Sequence, residues 1–211
     1  MSSVGVRFIG GRSLKLRCAS FAPHSLVVMA KMEQYMSERI EELKWVLTDL
    51  ILDLCAPAEI FRDHYSSNSF DISSLRTISI CRMCNSHAVI ALSKLVEALN
   101  GYGEEIRDFP DSLRKKVYEV KQQLEARNVY KFRSKYVAHV FDNDTKKPVD
   151  IEYVYKLLTD IVGKDISELN EFYEWLSPAE PDSDLTGNYV STLVTVLRDH
   201  CNNLVGHGER P

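Results

Sequence analysis

Residues 36–54 read MSERIEELKWVLTDLILDL. Apolar side chains recur there at Met36, Ile40, Leu43, Leu47, Leu50 and Leu54, at spacings of four, three, four, three and four. With about 3.6 residues per turn, that order lays one continuous stripe along a helix, and Val46 and Ile51 widen it into a core-facing surface. A strand would need alternation over two residues, which this stretch lacks. The stripe predicts a long amphipathic helix that ends near Pro57, followed by a polar connection over Asp63–Ser69.

The same period continues downstream. Ala88, Leu92, Leu95 and Leu99 mark a second helix from about Ser73 to Leu99, stopped by Asn100-Gly101-Tyr102-Gly103. Pro110-Asp111-Ser112 opens a third region that carries Leu113, Val117, Val120, Leu124, Phe132, Tyr136 and Val140. With no Gly or Pro between Asp111 and Lys147, it reads as one uninterrupted helical region. A fourth begins at Asp150. Its stripe changes over at Gly163, which predicts a kink or a break. Pro178 and Pro181 force a loop, and a last helix spans about Asn188–Asn202. About five main helices joined by polar loops make an all-α, up-and-down bundle over 32–205, with a tail at 206–211.

Residues 1–31 carry Arg7, Arg12, Lys15, Arg17 and Lys31, no acidic residue and no helical period. They read as a flexible basic arm, or as the product of an upstream start codon with the true start at Met29 or Met32. Ser25–Ala30 is shorter than the apolar core of a secretory signal.

With 211 residues, 45% hydrophobic and 27% charged, the chain buries a core without disulfides or metal. A formal net charge of −4 gives no chain-wide attraction to nucleic acid, so any anion site must be local. The five cysteines are odd in number and no secretory signal precedes them, which fits reduced thiols in a cytoplasm. No apolar run approaches the ~20 residues of a membrane span.

Two constellations hold chemistry-bearing side chains. Cys81, Cys84 and His87 resemble metal ligands in type, but they sit mid-helix and no second Cys/His pair near them completes a tetrahedral set, so packing between helices explains them better and no metal or cofactor is expected. The stretch Arg133-Ser134-Lys135-Tyr136-Val137-Ala138-His139 is different. Arg is the best fork for a phosphate and His the side chain suited to proton transfer near neutral pH, a minimal kit for metal-free phosphodiester cleavage. The blander account is a cation-rich helix C-terminus answering the helix dipole.

That stretch resembles the signature of the HEPN superfamily, an Arg followed after four to six residues by a His late in a bundle helix, and its wording is most similar to the AbiU-type abortive-infection branch. The resemblance covers about 33–200. It implies a HEPN-like four- or five-helix bundle that forms a homodimer, with the motif at a cleft between subunits. It also implies a metal-independent endoribonuclease, as in toxins and phage-defence effectors, with an antitoxin or another protein as a further partner. Arg133 would hold the scissile phosphate and His139 would transfer protons, with Ser134, Lys135 and Tyr136 as auxiliary substrate-binding residues. Ser134 stands where the family commonly has Asn, Asp or His, and Phe141 where some members carry a modifiable Tyr. The alternative the resemblance leaves open is a non-catalytic HEPN module that binds a partner protein or nucleotide.

Six residues separate Arg133 from His139. On a straight helix that is roughly 600° of rotation and about 9 Å of rise, so the two side chains point about 120° apart. Long reach by Arg133, combined with a two-fold partner, is the expected way for both to meet one phosphate.

Overall fold

The computed structural model describes residues 23–133, 150–180, 185, 188–208 and 210. Eight helices and no strand occur among them: α1 (Pro23–Tyr65), α2 (Leu75–Gly101), α3 (Gly103–Arg107), α4 (Asp111–Ala126), α5 (Val129–Phe132), α6 (Ile151–Val162), α7 (Ile166–Leu176) and α8 (Val190–Val205). The all-α bundle expected from the periodicity is the fold.

The chain divides into two compact units at Gln34 and Tyr35. In the first unit, residues 23–34 are already helical, and the side chains from Val27 to Gln34 are exposed. The sequence reading left 23–31 in a non-helical arm. Helix propagation accounts for the difference: extending an established helix adds one hydrogen bond per residue fixed, so a stretch with no apolar stripe of its own can still be helical.

In the second unit, the stripe of α1 is buried as read. Leu43, Leu47 and Leu54 are fully enclosed and Leu50 nearly so. The helix does not stop at Pro57, however. It continues to Tyr65, and Ala58 and Phe61 extend the buried face. A mid-helix Pro costs about 3 kcal/mol. Here the next turn carries Phe61, whose ring stacks on Tyr173 of α7 at 4.3 Å between centroids, and that burial offsets the lost backbone bond. The helix end is then tied to α2 by His64, whose Nε2 lies 2.8 Å from Thr77 Oγ1.

Ser74 caps α2 through the Thr77 amide, Asp150 caps α6 through Glu152, and Asp165 caps α7 through Ser167 and Glu168. At the other end of α2, the Gly-rich stop is followed at once by α3, which sets Ile106 into the core. Arg39 of α1 holds this corner. It donates to Glu105 Oε1 at 2.8 Å and to the Gly101 carbonyl at 2.8 Å, and its guanidinium lies over the Tyr102 ring. Glu105 is 5% exposed and depends on that cation. We therefore expect Arg39→Ala to lower stability by about 2–4 kcal/mol, since a buried carboxylate loses its counter-charge. Urea unfolding checks this, and a loss below about 1 kcal/mol would contradict it.

The third helical region is broken where the sequence shows neither Gly nor Pro. Asn128 adopts the left-handed conformation, φ 54°, and separates α4 from α5. Asn is among the few residues that enter this region readily. Tertiary contacts select the break. Val129 and Phe132 enter the core beside α2, while Arg127 donates to the Ile161 carbonyl of α6 and packs over Trp175. Gly163, φ 102°, ends α6 and splits the fourth region at the expected place. Leu92, Leu95, Val120, Leu124, Leu193, Val194 and Leu197 complete the core.

Candidate functional site

Of the motif residues, Arg133 alone is described, directly after α5. Ser134, Lys135, Tyr136 and His139 lie outside the described residues. Arg133 keeps helical backbone angles and its Nη1 donates to Glu97 Oε1 on α2. Both partners stay accessible, with side chains 34% and 50% exposed. The guanidinium is thus neither buried in the core nor sealed in an enclosed ion pair.

Glu97 was not singled out by the sequence, because its pairing spans 36 positions. It belongs to a charged row on α2 that faces α1: His87 lies 3.6 Å from Asp53, and Lys94 donates to Asp53 at 2.7 Å. Further along α1, Asp49 takes a two-pronged contact from Arg210 at 2.8 and 3.1 Å. Asp49, Asp53, Lys94 and Glu97 line a shallow cleft of about 310 Å³ between α1 and α2. Each of its three carboxylates already has a cation, so an anion approaching Arg133 would compete with Glu97 for the guanidinium. Exposed pairs of this kind contribute only ~0–1 kcal/mol, so the displacement is easy.

The cysteines of the 81–87 stretch part company in space. Cys84 is 1% exposed in the core, and burial pushes its thiol up to about 11, far from the nucleophilic thiolate. Cys81 is half-buried toward a groove beside α6, and His87 looks toward Asp53. Among the described residues no group of three His, Cys, Asp or Glu side chains is arranged to hold a metal ion. His200 packs edge-on against Phe109 at 4.5 Å, and His207 is exposed beyond α8. Among the described residues no helix is long and apolar enough to cross a membrane.

No family model matches the chain, and no curated protein sequence does. Among solved structures, the fold is similar to that of the integron cassette protein Vpc_cass2 from the mobile metagenome of V. paracholerae. The TM-score is 0.64 at 22% identity, over 78% of this chain and 96% of that one. At that identity the likeness speaks for the helical fold.

Proposed function

We propose that the chain is a metal-independent endoribonuclease of the HEPN type, acting on RNA as a cytoplasmic homodimer. The ribose 2′-OH attacks the adjacent phosphate and the 5′-oxygen leaves, giving a 2′,3′-cyclic phosphate and a 5′-OH. His139 serves as general base or acid, and Arg133 stabilises the charge that develops on the phosphorane. Ser134, Lys135 and Tyr136 assist substrate binding. Arg133 supports this reading most: a guanidinium suited to a phosphate, about a third exposed, whose ion pair among the described residues is with an accessible carboxylate. The role as a toxin or phage-defence effector follows from the resemblance of the motif.

The test is incubation of purified protein with total RNA in excess EDTA, with analysis of the new ends. Cleavage that persists and leaves cyclic phosphates supports the reading, and intact RNA refutes it. Glu97→Gln gives a second readout. Freed of its competitor, Arg133 should bind substrate better, and KM should fall about two- to fivefold, the worth of an exposed ion pair, with kcat little changed. A rise in KM would mean that Glu97 positions the Arg rather than competing for it.

The same ion pair favours a second reading, a non-catalytic module that binds a partner protein or nucleotide. There Glu97 and Arg133 are surface structure, the wild-type protein leaves RNA intact, and Glu97→Gln does not change that.

A further inference from the structure

Arg133 stands at one end of a strip of side chains that crosses α5. Val129 and Phe132 are buried, so Tyr130, Lys131 and Arg133 take the outer face of this short helix. At about 100° per residue, Arg133, Tyr130 and Lys131 follow one another in that order around the axis, with Tyr130 roughly 60° from Arg133. Neighbouring helices fix the two ends. Arg133 donates to Glu97 on α2, and Lys131 Nζ lies over the Tyr153 ring of α6, 5.6 Å from its centroid. Tyr130 therefore stands between a guanidinium on the α2 side and an ammonium–aromatic pair on the α6 side.

Both rings are accessible: Tyr130 is 60% exposed and Tyr153 38%. A single exposed aromatic residue is ordinary on a protein surface. Cations and rings alternating along one strip are the parts of a single-strand nucleic-acid site, because every base offers a π-face to an aromatic side chain while cations take the phosphates. Duplex RNA fits worse, since its bases are stacked on one another and closed to side-chain rings.

We infer that Tyr130 stacks on the base beside the phosphate held by Arg133, and that Tyr153 with Lys131 extends this track along single-stranded RNA. The inference rests on the reading of Arg133 as a phosphate ligand, and it makes the substrate single-stranded where it is bound.

The test is fluorescence anisotropy on the full chain with a labelled 2′-O-methyl oligoribonucleotide, which lacks the attacking hydroxyl and is not cleaved. An abasic strand of equal length and the oligonucleotide annealed to its complement serve as comparisons. The single strand should bind at least about fivefold more tightly than either, the worth of one stacked base. Tyr130→Ala should weaken the single strand about fivefold and leave the abasic strand unchanged, a pattern that a purely structural role would not produce. Tyr130→Phe keeps the ring and should bind as wild type. Both variants fold, because the position is exposed and alanine favours helix. Tyr153→Ala should act in the same direction. Equal binding of the abasic strand, or wild-type affinity in Tyr130→Ala, would overturn the inference even if RNA is cleaved in EDTA. Ring-dependent binding without cleavage would instead sink the ribonuclease reading and leave the stacking residue in place.

Discussion

Gly163→Ala is expected to destabilise the protein by about 3–5 kcal/mol, among the largest effects of any single methyl group in this fold. Two causes add. At φ 102° and ψ 165° the backbone occupies a region essentially reserved for glycine, and a side chain there costs of order 1–3 kcal/mol. The new Cβ would also stand 2.3 Å from Glu168 Cβ and 2.9 Å from the Glu168 carbonyl carbon. The backbone atom cannot swing aside as a flexible side-chain tip would. Relief requires the first turn of α7 to move away from α6, which strains the Lys164 amide bond to Glu168 Oε2 at 2.7 Å. For a chain of this length the melting temperature should fall by roughly 10 °C. Gly101→Ala is the control. A Cβ there meets nothing within 4 Å and the position is helical, so that variant should be neutral or slightly stabilising. If both variants melted alike, the tight α6–α7 corner would be wrong.

The second large effect is on activity. Under the ribonuclease reading, Arg133→Ala and His139→Ala should each lower kcat about 10²–10³-fold, the usual loss when a charge-stabilising or proton-transferring group is removed. The helical circular-dichroism signal should not change. Arg133 is a third exposed and its one described ion pair is with a half-exposed Glu97, so deleting the pair removes no more than about 1 kcal/mol of stability. Arg133→Lys should fall between, because an ammonium keeps the charge but loses the planar fork. Mixing the two inactive chains adds a test of the dimer. If the Arg of one subunit works with the His of the other, mixed dimers regain one complete site and activity returns to roughly a quarter of wild type. No recovery would place both residues in one subunit's site, and unfolding of Arg133→Ala would make the arginine a structural cap.

Periodicity carried most of the architecture. The stripe from Met36 to Leu54, the stop after Leu99, the cap at Asp150 and the change at Gly163 are local signals, each a matter of which residues share a helix face or which backbone angles a residue allows. The same local chemistry singled out Arg133 by residue type and spacing. Three features lay beyond it. Pro57 stays inside α1 because Phe61 finds Tyr173, more than a hundred positions away. The turn at Asn128 forms because Arg127 and Phe132 are anchored to α6 and α2, whereas the segment alone reads as continuous helix. Glu97 meets Arg133, and Asn85 meets Tyr173, only once α2 is packed. Helix faces and turn propensities are properties of neighbours along the chain, so the sequence by itself determined them. Pairings between distant positions depend on the free energy of the whole packed core, and only the tertiary structure decided those.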